Sequence, residues 1–154
     1  MGSYSKNFKD ILLKEGILSD IIIFEDSTKT SKEAAQKLDT EIDKIGKSII
    51  FKTESGKLIL VIASGKNRIN EKIIEEKIKE KIIKIEADEI KERTGYTIGG
   101  IPPFWHKEKM KTFIDLDLLK FDEIFCAAGT PNSIFKVNPR RIIEITNAEV
   151  CKIT

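Results

Sequence analysis

One hairpin-like segment constrains the fold of this chain more than any other feature. Residues 58–63 read Leu-Ile-Leu-Val-Ile-Ala, apolar at every position, whereas a strand with one solvated face alternates apolar and polar residues. A second strand-like run, residues 47–52, comes before it, and Glu54-Ser55-Gly56-Lys57 between the two has the composition of a turn. The pattern therefore predicts a β-hairpin whose second strand is covered on both faces.

Other strands and helices are expected around this hairpin. Further strands are predicted at residues 21–24, 82–85, 96–98, 113–114, 123–127, 133–137 and 150–153. Helices are predicted at 7–15, after a capping box at Thr30–Glu33, at 70–80, from a cap at Asp88 to Gly95, and after Asn138-Pro139. Strands and helices do not strictly alternate, so the expected class is α/β of the α+β kind. It has a mixed, largely antiparallel, barrel-like sheet flanked by helices.

Length and composition favour one globular unit. The 154 residues, 40% apolar and 34% charged, are enough for a single domain spanning 1–154. The formal net charge of +2 does not by itself indicate a nucleic-acid partner, and Cys126 and Cys151 lie in apolar runs typical of buried free thiols. No stretch approaches the ~20 apolar residues of a membrane span, and the N-terminus lacks a signal-peptide core, so a cytoplasmic location is expected.

A glycine and proline loop at 99–104 is the first candidate site. Gly99 and Gly100 let the backbone approach a ligand and leave amides free to donate. Pro102 and Pro103 follow Ile101 and stiffen the exit of the loop. Such a loop suits a carbonyl oxygen that gains negative charge, although a plain tight turn explains the same composition.

Two more segments are candidates for binding. A turn at residues 127–133 ends an apolar strand and offers polar groups, although a hairpin connection would look the same; its candidate residues are Gly129, Thr130, Pro131, Asn132 and Ser133. Lys47 begins a buried strand and could aim its ammonium at a pocket mouth, or it could be one exposed lysine among 27 basic residues.

Three weaker candidates each have a structural explanation. His106, the single histidine, is either a general base or a structural residue beside Trp105. Asp115 and Asp117 fit helix capping better than a metal site. The basic run at 66–84 is diluted by glutamates, so it favours a solvated helix surface with one edge able to touch phosphates.

In their order along the chain, these segments resemble the YbaK/prolyl-tRNA-synthetase-associated domain family. The resemblance extends from about Thr30 to Thr154 and is carried by an ordered set of motifs: Thr30-Ser-Lys-Glu-Ala-Ala35, Gly46-Lys47-Ser-Ile-Ile-Phe51, Leu60-Val-Ile-Ala-Ser-Gly65, Arg68-Ile69-Asn70, Thr94-Gly-Tyr-Thr-Ile-Gly-Gly-Ile-Pro-Pro-Phe104, Phe113-Ile-Asp115 and Ala127-Ala-Gly-Thr-Pro-Asn132. Each motif is weak alone, and the ordered set is specific.

The resemblance implies a free-standing trans-editing enzyme. Its expected reaction is hydrolysis of the ester in mischarged tRNA, with Cys- or Ala-tRNA(Pro) as the first choice. It gives catalytic roles to Lys47, Gly99 and Gly100, and an amino-acid pocket lined by Phe51, Ile101 and Pro102. It puts Pro103 and the 129–133 turn at the substrate, with Thr30 and His106 as further candidates. The expected partners are the acceptor end of aminoacyl-tRNA and prolyl-tRNA synthetase, for a monomer or weak homodimer without a metal or cofactor.

Two departures from the family pattern leave alternatives open. Pro102 stands where many members have serine, and Trp105 stands where glycine is usual, which could narrow the entrance. The main alternative is a module that kept the fold without turnover and binds a synthetase or tRNA. A second is a general RNA-binding domain that uses the lysines of 66–84, which would bind many RNAs with steep salt dependence.

Overall fold

The computed structural model describes residues 8–25 and 30–154. Within these ranges, eight strands form one mixed sheet. They are β1 (Ile22–Ile23), β2 (Ile45–Thr53), β3 (Leu58–Ser64), β4 (Ile82–Ile83), β5 (Lys111–Asp115), β6 (Ile124–Ala127), β7 (Ser133–Val137) and β8 (Glu149–Cys151). The predicted hairpin is confirmed as β2 and β3, and every residue of β3 is buried.

Five α-helices flank the sheet in the described residues: α1 (Phe8–Lys14), α2 (Ser31–Leu38), α3 (Glu71–Ile78), α4 (Ala87–Thr94) and α5 (Pro139–Thr146). Short 3₁₀ helices cover Ile42–Lys44 and Leu116–Lys120. Side-chain caps set several of the starts. Asn70 caps α3, Asn138 caps α5, and the Thr30 hydroxyl accepts from the Glu33 amide at 3.1 Å.

The sheet runs in the order β1-β7-β6-β2-β3-β5-β8, with β4 paired to β2 outside this path. The pairs β2–β3, β2–β4, β1–β7 and β6–β7 are antiparallel, while β2–β6, β3–β5 and β5–β8 are parallel. The mixed sheet with flanking helices is thus confirmed. One core packs on the face of Leu60 and Ile62, and a second packs α3 on the face of Ile59 and Val61.

One edge of β2 has a gap that matters for the site. On this edge β6 pairs only with Ile45 and Gly46, and β4 pairs only with Lys52 and Thr53. No strand of the described chain covers residues 47–51 between them. Backbone amides and carbonyls along such an edge are available to a ligand.

Two predicted elements differ in the structure. Asp88 is expected as the cap of α4, but the N-cap is Glu86 and Asp88 lies in the first turn, where a carboxylate is favoured by the helix dipole. The predicted strand at 96–98 is wrong. The Tyr96 amide donates to the Thr94 hydroxyl and the Thr97 carbonyl accepts from Gly100, so this backbone is used in local turns.

Candidate active site

A cavity of about 330 Å³ lies beside the uncovered edge of β2. Its walls come from β2, the end of β6, the first turn of α2 and the loop that begins at Ile98. The volume is within the range of small-molecule sites. The wall is mostly apolar, with Ile45, Ile50, Ile90, Ile101, Phe125 and Ile134 among its residues.

Two hydroxyl groups in this mostly apolar wall have no partner in the part of the chain that the structure describes. The Oγ atoms of Ser31 and Ser48 are buried, both residues line the cavity, and neither oxygen makes a hydrogen bond to the described residues. A buried hydroxyl without a partner costs about 1–3 kcal/mol, so it is an arrangement expected where a ligand completes the bonding. The two serines therefore mark the cavity as a place for a polar group held within an apolar pocket.

The positions of the two serines follow from local structure. The Thr30 cap starts α2 at Ser31, which places this hydroxyl at the open end of the helix beside β2. Ser48 lies on the uncovered stretch of β2, on the same face of the strand as Gly46 and Ile50. Sequence reasoning missed both serines as site residues. The signal was present in the motifs Thr30-Ser31 and Lys47-Ser48, but only the fold brings the two together.

Lys47 lies at the rim. It lines the cavity and also a second, more polar groove on the other side of β2. Its side chain is exposed, and it makes no hydrogen bond or ion pair with the residues that the structure describes. An ammonium without a carboxylate partner remains available to a phosphate or a carbonyl oxygen.

The two glycine and proline segments are packed against each other. A Cβ on Gly100 would lie 2.7 Å from the Thr130 carbonyl carbon and 2.9 Å from the Pro131 nitrogen, which are both backbone atoms. Gly99 has a φ of +89°, a left-handed conformation that glycine adopts without strain. Both positions therefore require glycine, one for its backbone conformation and the other for close approach.

The amides of this loop are only partly free. The Gly100 amide donates to the Thr97 carbonyl at 3.0 Å, so the expectation of a free donor at Gly100 is not met. Gly99 and Ile101 line the cavity, whereas Gly100 does not. The backbone amides of Gly99 and Ile101 make no backbone hydrogen bond in the described chain. Any oxyanion donor from this loop is therefore at Gly99 or Ile101.

The turn at 129–133 supports the site from behind and does not line the cavity. The Thr130 hydroxyl donates to Asn132 Oδ1 at 2.8 Å and lies 2.6 Å from the Ser133 hydroxyl. The Asn132 side-chain amide donates to the Phe24 carbonyl at 3.0 Å. The polar side chains of this turn, which the sequence suggested as substrate contacts, are thus hydrogen-bonded within the protein and stabilise the turn. Gly129 has a φ of +100°, a conformation that favours glycine.

Other expected pocket residues lie elsewhere. Phe51 lines the second groove and not the cavity, because it is on the face of β2 opposite Ile50. Pro102 and Pro103 are buried outside the cavity wall. Trp105 is also absent from that wall, and its ring lies 5.9 Å from Lys14 Nζ. Its φ of +66° gives a physical reason for a glycine preference at this position.

Thr30 and Cys126 also line the cavity. Both cysteines are buried free thiols, as expected, and burial raises the pKa of the Cys126 thiol far above neutrality. A thiol that stays protonated is a poor nucleophile, so Cys126 contributes to the lining of the cavity and not to the chemistry. Its Sγ would lie 2.9 Å from a Cβ on Gly46, which explains the glycine before Lys47.

His106 has a structural environment. Its Nε2 lies 2.7 Å from the Pro102 carbonyl oxygen, which can only accept, so the ring donates there. Burial lowers the pKa of His106 from 6.5 to about 4. It does not line the cavity, so a general-base role has no geometric support.

We expect His106 to make stability depend on pH between 6.5 and 4. Between these pH values the histidine is protonated in the unfolded chain but neutral in the native protein. The free energy of unfolding therefore falls as the pH is lowered, by about 3 kcal/mol at most. Urea unfolding at pH 7, 6 and 5 would measure this decrease in the free energy of unfolding. His106→Gln should flatten the slope, since His106 is the single histidine; an unchanged slope in the variant would contradict the assignment.

Comparisons with known proteins identify the family of this chain. A model of the aminoacyl-tRNA editing domain matches residues 25–145. The uncharacterized protein YwhH of Bacillus subtilis (strain 168) is 30% identical over 132 residues, 86% of this chain and 84% of the relative. The chain therefore belongs to the aminoacyl-tRNA editing domain family.

Solved structures show the same fold. One, described as a candidate trans-editing enzyme for prolyl tRNA synthetase, has a TM-score of 0.89 and 31% identity, with 98% of this chain and 96% of that chain covered. The hypothetical protein APE2540 has a TM-score of 0.84 and 27% identity, with 92% and 95% covered. Within the described residues, no helix is long and apolar enough to cross a membrane.

Proposed function

We propose that this protein is a trans-editing deacylase that hydrolyses the ester of mischarged tRNA, with Cys- or Ala-tRNA(Pro) as its first substrates. The observation that carries the proposal is the pair of buried hydroxyls of Ser31 and Ser48, which have no partner among the described residues, in a mostly apolar cavity with Lys47 at its rim. Family membership over residues 25–145 supplies the substrate class. The similarity to a candidate trans-editing enzyme for prolyl tRNA synthetase favours tRNA(Pro) among the tRNAs.

The cavity fits the aminoacyl group and its ester. The hydroxyls of Ser31 and Ser48 would bond to the polar atoms of the amino acid, and the aliphatic wall of Ile45, Ile50 and Ile101 would contact a small side chain. A difference of one methylene in such a pocket is worth only about 10–200-fold in rate. The wall therefore selects for small side chains as a group.

The ester is already activated, so positioning and charge stabilisation can carry the reaction. In the hydrolysis, a water molecule attacks the carbonyl carbon, and its proton passes to the ribose oxygen as that oxygen leaves. Where a hydroxyl or thiol of the substrate attacks first, its proton passes to the ribose oxygen in the same way, and water then hydrolyses the new ester or thioester. The carbonyl oxygen gains negative charge on attack. The amides of Gly99 and Ile101 and the ammonium of Lys47 are the groups available to stabilise it.

The test is a deacylation assay with purified protein over a panel of charged tRNAs. We expect release of Ala or Cys from tRNA(Pro) well above the rate without protein, and much slower release of proline. Each tRNA incubated with heat-denatured protein is the control. Binding of these tRNAs without release of any amino acid would overturn the deacylase and favour the alternative, a module that binds without turnover.

A further inference from the structure

A second groove lies across β2 from the cavity and shares its rim. It is lined by Lys47, Ile49 and Phe51 of β2 and by the segment 65–69 together with Glu71. Lys47 and Ile49 line both the groove and the cavity, so the two adjoin at these residues. We propose that this groove, here called the β2 groove, binds the single-stranded acceptor end of tRNA next to the esterified adenosine, an inference that rests on the proposed function.

The charge of the β2 groove suits a phosphate backbone. Three cations line it, Lys47, Lys66 and Arg68, against the one carboxylate of Glu71. Lys66 is partly neutralised because its Nζ lies 3.5 Å from Asp43 and 3.8 Å from Asp117. Arg68 and Lys47 are exposed and make no hydrogen bond or ion pair with the described residues.

The segment that carries Arg68 is held rigidly from below. The Asn67 side-chain amide donates to Asp115 at 2.8 Å and to Asp117 at 2.9 Å, and Asp115 also accepts from the Ser64 amide at 2.9 Å. Asp115 is 2% exposed. The neighbouring Asn67 and Ser64 are thus hydrogen-bonded to the protein, while the Arg68 guanidinium has no partner within the described ranges. A fixed backbone with a free, forked donor group is well suited to a phosphate.

The floor of the β2 groove adds an aromatic surface. Phe51, half-buried, packs with Ile69 against the core between β3 and α3. A basic groove with an aromatic ring is the usual combination for unpaired nucleotides, because a base stacks on the ring while cations contact the backbone. A phosphate site alone would not need this ring, so the pairing of Phe51 with Arg68 favours a nucleotide strand.

The two sites form one path for the substrate. With the aminoacyl adenosine in the cavity, the chain of the acceptor end would pass Lys47 at the shared rim. The preceding cytidines would then lie along Phe51, with their phosphates near Arg68. Lys47 would contact the backbone at the junction between them.

The test uses the full chain and a short, uncharged RNA that ends in C-C-A, labelled at its 5′ end. We expect Arg68→Gln to weaken binding about tenfold in fluorescence anisotropy. The slope of log K against log salt should become shallower by about 0.7, the value for one lost phosphate contact on a single strand. The matched control is Lys81→Gln, which removes one exposed charge outside the groove lining and should change the affinity less than twofold by the usual weakness of distant surface charges.

A second variant tests the aromatic contact in the same binding assay. Phe51→Leu keeps an apolar side chain, and we expect it to weaken binding about fivefold or more through lost stacking. With an RNA whose two cytidines are replaced by abasic nucleotides, Phe51→Leu and the wild type should bind equally well, because no base is present to stack on the ring. If circular dichroism shows that Phe51→Leu does not fold, the comparison of Arg68→Gln with Lys81→Gln still tests the proposed site.

Equal weakening by Arg68→Gln and Lys81→Gln, or no weakening by either, would overturn the proposed site. Binding of uncharged RNA requires no hydrolysis, so this result is separate from the deacylation panel. An inactive protein that binds through Arg68 would refute the deacylase and keep the groove, while an active protein insensitive to Arg68→Gln would do the reverse.

Discussion

Replacing Lys47 with alanine is expected to lower the rate of aminoacyl-tRNA deacylation by about 100-fold or more. The cause is the loss of the ammonium that lines the cavity, where under the proposed function it would stabilise charge developing on the ester and the adjacent phosphate. Single-turnover hydrolysis of Ala-tRNA(Pro) would measure the effect directly. Lys47→Arg keeps the charge but changes the shape of the donor, so we expect only partial recovery.

The fold should not suffer from this change. The Lys47 side chain is exposed and has no partner among the described residues, so the free energy of unfolding should stay within about 0.5 kcal/mol of the wild type. Lys57→Ala, at an exposed lysine in the turn at the far end of the same hairpin, is the matched control and should keep its activity. Full activity of Lys47→Ala would remove this residue from the mechanism.

The second large effect is expected for Gly100→Ala. The added Cβ would lie 2.7 to 2.9 Å from three backbone atoms of Thr130 and Pro131, and backbone cannot move aside as a flexible side chain can. The overpacking should cost about 1–3 kcal/mol in the free energy of unfolding. It should also displace Gly99 and Ile101 at the cavity wall, with a loss of about 10- to 100-fold in deacylation, because small misplacements are costly in catalysis.

A second glycine variant separates the loss of stability from the loss of deacylation. Gly56 lies in the β2–β3 turn at a φ of +88°, and a Cβ added there would have no neighbouring atom within 4 Å, so Gly56→Ala strains only the local backbone. It should destabilise the chain by about 1 kcal/mol and leave deacylation unchanged at a temperature where both variants are folded. If Gly100→Ala is as active as Gly56→Ala, the contact between the two segments does not position the site.

Local sequence patterns predicted much of the fold. The apolar run of β3 and the turn before it define the hairpin, because burial on both faces leaves no room for polar alternation. Side-chain caps are short-range interactions, so Thr30, Asn70 and Asn138 mark where their helices begin. Where local bonding was ambiguous the prediction failed, as at 96–98, where side-chain and turn hydrogen bonds replace a strand.

The candidate site was predicted in part. Lys47, Gly99, Ile101 and Thr30 do line one cavity, whereas Phe51 faces the other side of β2. Alternation along a strand would have separated Phe51 from Ile50, but which face meets the cavity depends on partners far along the chain.

Local sequence patterns are enough to predict the hairpin, the helix starts and the ordered motifs that indicate an editing domain, because these depend on neighbours within a few positions. The gap that β6 and β4 leave beside β2 is visible only in the folded chain. Folding also brings the hydroxyls of Ser31 and Ser48, unpaired among the described residues, into the wall of one cavity. Strand pairing over long separations creates the cavity, and no local pattern encodes which backbone edge remains uncovered.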